Sequence, residues 1–118
     1  MQNETTMAAE GELVREYFSH CMDIVISEGN YLSLKKLSQD MGVETFMKVL
    51  EERDDHGKTL LSLVQEKLSD AKRVYDIVYE TNDKREILQA SGRYNGLLFM
   101  EHVINISAKK MAQAATQA

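Results

Sequence analysis

Apolar residues recur every three or four positions along most of the chain, which is the spacing that lines one face of an α-helix. The first such segment begins at about Glu10 and ends near "SEGN", residues 27–30. Gly29 and Asn30 suit a left-handed cap at that point. The pattern predicts a first helix whose apolar positions are Leu13, Val14, Tyr17, Phe18, Cys21, Met22, Ile24 and Val25.

Turn signals divide the following segment. A second helix is predicted over residues 31–41 and a third over residues 43–53, with Gly42 between them. "DDHG", residues 54–57, predicts a tight turn, because Asp bonds nearby backbone groups and Gly accepts a positive φ. Thr59 then stands where it can cap the next helix.

Three further boundaries are predicted in the second half of the chain. Ser69 can cap another helix, a short helix covers residues 84–91, and "GRYNG", residues 92–96, predicts a loop. The last helix then begins near Leu97.

These elements predict an all-α fold, a compact antiparallel helical domain of about six or seven helices. The domain is expected over residues 10–111, between a polar lead at 1–9 and an Ala-rich tail at 112–118 that should fray. Each predicted core residue has apolar neighbours three or four positions away on the same helical face. These residues are Leu13, Phe18, Met22, Val25, Leu34, Leu37, Phe46, Leu50, Leu61, Val64, Val74, Ile77, Val78, Leu98, Val103 and Ile104.

The turn at residues 54–57 carries a sharper expectation. Gly57 should have a positive φ, and Asp54 or Asp55 should accept a backbone N–H bond near the start of the next helix. Replacing Gly57 by Val should destabilise the domain more than the same change at Gly42.

Composition narrows the classes of function. The 118 residues include 14 Lys and Arg against 19 Asp and Glu, a net charge of −5, which disfavours binding to nucleic acid. A single cysteine excludes an internal disulfide and fits a reducing compartment. No apolar run approaches the ~18 residues of a membrane span. A soluble cytoplasmic protein without a membrane partner is expected.

Candidate chemistry is sparse, and the sequence predicts a protein that is not an enzyme. His20 and Cys21 are adjacent, so on a helix they point about 100° apart and suit a shared metal ion poorly. Cys21 continues an apolar stripe, which predicts a buried, inert thiol. Residues 54–56, "DDH", are most simply a solvated turn, and His102 a half-buried ring. Neither a metal nor a cofactor is predicted.

One segment resembles helix-turn-helix proteins. In "LKKLSQDMGVETFMKVLEER", residues 34–53, Gly42 stands at the turn and Val43 follows it. The resemblance implies a DNA-binding regulator whose second helix enters the major groove. That helix would expose Glu44, Glu51 and Glu52 to the phosphates, so DNA binding is the alternative rather than the leading hypothesis.

A second segment is similar to ankyrin repeats. In "DDHGKTLLSLV" the family's Asp, Gly, Thr, Leu and small apolar positions are occupied by Asp55, Gly57, Thr59, Leu61 and Val64. The resemblance covers residues 29–80 and implies irregular stacking of helix pairs, with a partner bound through turn tips and first helices. An ordinary antiparallel helical domain explains the same pattern and stays open beside it.

Both leading interpretations indicate the same function, a non-catalytic protein–protein interaction module of the adaptor or scaffold type. The expected partner is another protein or a second copy of this chain as a homodimer. The predicted partner-binding residues are those that the ankyrin-like resemblance places at turns and helix starts: Asn30, Tyr31, His56, Lys58, Tyr94 and Asn95.

Overall fold

A computed structural model describes the backbone of residues 2–27 and 30–117, with side chains described for 11–27 and 30–110. Within these residues the chain forms helices and no strand. In order, the helices are α1 (Gln2–Ile26), α2 (Tyr31–Met41), α3 (Val43–Glu51), α4 (Leu60–Tyr79) and α5 (Lys84–Gln117). The all-α prediction is confirmed.

Local chemistry explains where α2, α3 and α4 begin. The Asn30 side chain accepts the Leu32 N–H at 3.0 Å and so caps α2. Gly42 alone joins α2 to α3, with φ 86° and ψ 161°. Thr59 forms a reciprocal capping box with Ser62, in which each side chain accepts the other's backbone N–H. These three predicted boundaries are confirmed. The left-handed cap predicted at Asn30 is wrong, because Asn30 has φ −60° and ψ 134°, and Gly29 lies outside the described residues.

Two predicted breaks are wrong, because helices continue through them. Ser69 lies inside α4, where Val64 and Ala71 are buried seven residues apart on one face and hold the helix across the predicted cap. Residues 92–96 lie inside α5, where buried Ala90, Leu97 and Ile104 repeat every seven residues through the glycines. The described part of the chain therefore has five helices rather than six or seven.

At both ends of the chain, the helices extend into segments that were predicted to lie outside the domain. Backbone residues 2–9, predicted as a polar lead, belong to α1, and α5 extends through residue 117. The side chains of residues 112–118 lie outside the described residues. Ankyrin-like stacking of helix pairs is not confirmed, and α5 alone has 34 residues, more than the ~33 of a whole ankyrin repeat.

The α4 and α5 helices form a long antiparallel hairpin, because only four residues separate them. The Asp83 carboxylate ends that turn by accepting the N–H groups of Arg85 and Glu86 at 3.0 and 3.3 Å. The second half of the domain packs on the first through contacts of α5 with α2 and α3, and of α1 with α2, α3 and α4.

The core is entirely apolar among the described residues. Its largest fully buried side chains come from all five helices: Phe46, Leu34, Leu60, Leu97, Met100, Ile104, Val25, Val49, Val64 and Cys21. Several predicted core positions are confirmed as buried: Phe18, Met22, Val25, Leu34, Phe46, Val64 and Ile104. Others are only half-buried: Leu37, Leu50, Leu61, Val74, Val78, Leu98 and Val103.

Two predicted core residues are exposed, and each lies off the buried stripe of its helix. Leu13 is 44% exposed because Val14, Phe18 and Cys21 form the inner face of α1. Ile77 is 62% exposed in the last turns of α4. Spacing alone predicted both as buried, since each has apolar neighbours three or four positions away.

The molecule is elongated, with extents of 64 × 33 × 23 Å. A helix of 34 residues is about 51 Å long at 1.5 Å per residue, so α5 sets the long axis. No helix in the described part of the chain is both long and apolar enough to cross a membrane.

Candidate functional site

The start of α2 and the middle of α5 bring three of the predicted binding residues together. Asn30, Tyr31 and Asn95 line one open cavity of about 430 Å³. The Tyr31 ring packs against Phe99 of α5, with centroids 4.7 Å apart and the rings inclined by 32°. These three residues were predicted from an apparent repeat, but it is the contact between α2 and α5 that joins them.

Tyr94 packs between α4 and α5 rather than in the cavity that Asn30 and Asn95 line. Its half-buried ring stacks on Tyr75 of α4, with centroids 6.2 Å apart and the ring planes inclined by 19°. The Tyr75 ring also packs near the Tyr79 ring, with the two ring centroids 6.0 Å apart. Tyr94 is thus part of the α4–α5 packing and does not line the cavity of Asn30 and Asn95.

His56 and Lys58 lie in the turn before α4, apart from that cavity. Gly57 has φ 75° there, and the Asp54 carboxylate accepts the N–H groups of His56 and Lys58 at 2.9 and 2.8 Å. Both expectations for this turn are confirmed.

The turn also orders its charged groups. The bond from the Lys58 N–H lowers the pKa of Asp54, helped by His56. The Lys58 ammonium donates to Glu66 at 2.9 Å, and this bond raises the pKa of Lys58.

A larger apolar groove, which we call the α2–α5 groove, adjoins the first cavity through their shared residues Tyr31 and Phe99. It has a volume of about 510 Å³ and runs between α2, the start of α3 and the second half of α5. Buried Phe46 contributes to its wall. Its apolar lining residues are Tyr31, Val43, Phe46, Phe99, Val103 and Ile106.

Three apolar side chains of this groove are exposed. Val43 is 60%, Phe99 49% and Ile106 39% accessible. Scattered exposed apolar residues are normal, whereas several around one groove mark a surface that binds another molecule. In the sequence, the signal for this groove is the series Phe99, Val103 and Ile106, which lies beside the buried stripe of α5. The spacing of Val103 predicts a core residue, so the series was not identified as a surface from the sequence.

The charge of the α2–α5 groove is opposite to that of the whole chain. Its ionisable lining residues are Lys35, His102 and Lys110, and no carboxylate lines it. Within the described residues, neither lysine forms an ion pair. An acidic protein therefore presents a locally basic apolar groove.

Two hydroxyl groups of the groove donate to backbone carbonyls. The Ser38 hydroxyl donates to the Lys35 carbonyl at 2.7 Å, and the Ser107 hydroxyl donates to the Val103 carbonyl at 2.9 Å. Each hydroxyl is thus bound to its own helix. The groove offers apolar contact and positive charge to a ligand.

Cys21 and His20 lie outside the α2–α5 groove. Cys21 has no exposed surface, and burial raises the pKa of its thiol from 9.0 to about 12. His20, its neighbour, is exposed. Among residues whose side chains are described, no three His, Cys, Asp or Glu residues lie close enough together to hold a metal ion.

Comparison with known proteins supplies no family. No protein-family model, no curated protein and no solved structure matches the chain. The α2–α5 groove is therefore the main structural indication of function.

Proposed function

We propose that this protein is a non-catalytic interaction module, of the adaptor or scaffold type, that binds an apolar segment of another protein in the α2–α5 groove. The observation that carries the proposal is the group of exposed Val43, Phe99 and Ile106 around one groove. Burial of such side chains contributes roughly 25 cal/mol per Å² of apolar surface removed from water.

The residues predicted at the start of α2 extend this surface. Tyr31 contributes to the walls of both cavities, and Asn30 and Asn95 supply polar groups at the adjoining one. An aromatic anchor with a polar edge is the usual composition of a binding hot spot. His56, Lys58 and Tyr94 stay predictions outside the α2–α5 groove.

The DNA-binding alternative receives less support from the geometry. A helix-turn-helix unit joins its helices through a turn of about three or four residues, whereas Gly42 alone joins α2 to α3. The exposed face of α3 includes Glu44 and Glu51, which phosphates would repel. These features favour a protein partner.

Selection from a random peptide display library tests the proposal. Peptides of about fourteen residues, some four helical turns, would be selected on the wild-type chain and measured on Phe99→Ala. Affinity should fall about tenfold, since loss of a central aromatic anchor costs more than about 1 kcal/mol. Because Phe99 is half exposed, the variant should stay folded.

Leu88→Ala is the matched control. Leu88 is an exposed apolar residue on the same helix, and it does not line the α2–α5 groove. Peptide affinity should be unchanged in this variant. Failure to recover any peptide whose binding depends on Phe99 would contradict the proposed function.

A further inference from the structure

We infer that the occupant of the α2–α5 groove is an acidic amphipathic helix, about three turns long, whose carboxylates approach Lys35 and Lys110. The inference rests on the proposed function and specifies the chemistry of the partner. It follows from the length of the groove, the shape of its walls and the charge at its edges.

The groove has the length of a short helix. Its lining along α5 extends from Phe99 to Lys110, eleven residues apart, which at 1.5 Å per residue is about 16 Å. A ligand helix of the same length makes about three turns. It presents apolar residues at positions i, i+4 and i+7, the pattern of peptides that bind as helices in grooves.

The walls of the groove favour a helix over an extended strand. Phe99, Val103 and Ile106 form a ridge on α5, and Tyr31 and Lys35 lie one turn apart on α2. Ridges of this spacing pack into the grooves on the surface of a third helix. A β-strand ligand would need a sheet edge to bond its backbone, and the described residues form no strand.

The charge of the groove selects an acidic ligand. Lys35 lies on one wall and Lys110 at the far end of the other, with His102 on α5 between Phe99 and Lys110. Asp40, Glu44 and Glu101 are close in sequence, but none lines the groove. Complementary charge steers association and rejects partners of the wrong sign. The overall charge of −5 alone would not predict an acidic ligand.

The peptides recovered by display provide the first test. Those that depend on Phe99 should carry apolar residues at helical spacing and an excess of Asp and Glu. Phe99-dependent peptides that are neutral or basic, or that lack helical spacing, would overturn the inference while leaving the proposed function standing. Absence of any Phe99-dependent peptide would instead remove the proposed function.

Charge reversal provides the second test, with a control that the chain itself offers. Lys35→Glu combined with Lys110→Glu should weaken an acidic peptide by about tenfold or more, and added salt should reduce the difference. The control is Lys36→Glu with Lys109→Glu, which makes the same charge change on exposed neighbouring residues that do not line the groove. Equal losses in the two double variants would show a general charge effect and overturn the inference.

Two other occupants are distinguished in the same assays. Sedimentation equilibrium of the wild type and Phe99→Ala would show whether a second copy of the chain fills the groove, since Phe99→Ala would then dissociate a dimer. Short duplex DNA that displaced the peptide would identify a phosphate ligand. The inference expects a monomer in both samples and no displacement by DNA, and either contrary result would overturn it.

Discussion

Gly42 and Gly57 have a positive φ, which favours glycine, whereas Gly92 lies inside a helix and does not need to be glycine. Gly42, at φ 86° and ψ 161°, lies in a region that is essentially restricted to glycine. Gly57, at φ 75°, also has a positive φ, at which other residues are strained. Gly92 is inside α5, and a Cβ placed there meets no atom within 4 Å.

The same substitution should therefore have opposite signs at these positions. Gly42→Ala and Gly57→Ala should each cost about 1–3 kcal/mol, because both residues have a positive φ, whereas Gly92→Ala should stabilise by about 1 kcal/mol. Urea denaturation of the three variants measures the changes. The sequence-based expectation that Gly57 matters more than Gly42 stays a prediction for the same measurement. Stabilisation at Gly42 would contradict the described corner.

Asp54 predicts an acid sensitivity of the turn before α4. Its pKa is lowered below the ordinary 3.8, chiefly by the Lys58 N–H bond, so the folded state favours the carboxylate more than the unfolded state does. This stabilisation is present above pH 3.8 and is lost as the pH falls through the lowered pKa.

Asp54→Asn should remove that part of the pH dependence. The free energy of unfolding of the variant, measured by urea at neutral pH and below pH 3.8, should fall less on acidification than that of the wild type. Asp55→Asn is the control, because no bond from the turn to Asp55 comparable to those of Asp54 is present among the described residues. Identical acid responses in all three proteins would contradict this role.

At the scale of the element, α4 combines a buried beginning with an exposed end. Leu60, its first residue, has no exposed surface, whereas Ile77 is 62% exposed. Leu60→Ala should cost about 2–5 kcal/mol through lost burial and a cavity. Ile77→Ala should stay within about 0.5 kcal/mol, although spacing alone predicts a core residue. Urea denaturation compares the two, and equal losses would contradict the burial of α4.

The elements that were predicted correctly are those whose ends have their own chemistry. Asn30, Gly42, Thr59 and the "DDHG" turn each bond or bend the backbone locally, so their neighbours in the sequence suffice to identify them. The wrong breaks, at Ser69 and at residues 92–96, depend on partners far along the chain. A serine or two glycines inside a helix are tolerated when buried residues on both sides pack against another helix.

The candidate site was predicted only in part for a similar reason. Asn30, Tyr31 and Asn95 were identified at two apparent repeat starts, and they meet because α5 does not break between Tyr94 and Leu97. The α2–α5 groove escaped notice because exposed and buried apolar residues have the same spacing on α5. Phe99 and Ile106 are exposed because α2 packs beside α5 and leaves a groove along these residues, and this packing cannot be read from the sequence of α5.

At the scale of the whole molecule, the length of α5 gives the protein a measurable shape. The Cα radius of gyration is 16.9 Å, whereas a compact domain of 118 residues would have about 13.5 Å. Small-angle X-ray scattering on monomer separated by size exclusion should give a radius near 17 Å or slightly above. A value near 13.5 Å would show that the second half of α5 folds back on the domain.

Cys21 also makes the opening of the fold measurable by a covalent label. It is the single cysteine of the chain, it has no exposed surface, and burial raises its pKa from 9.0 to about 12, which lowers its thiolate fraction. Iodoacetamide reacts with thiolates that it can reach, so alkylation should proceed through opened molecules. The rate of mass gain on the unmodified protein then reports how often α1 leaves the core, without any introduced probe.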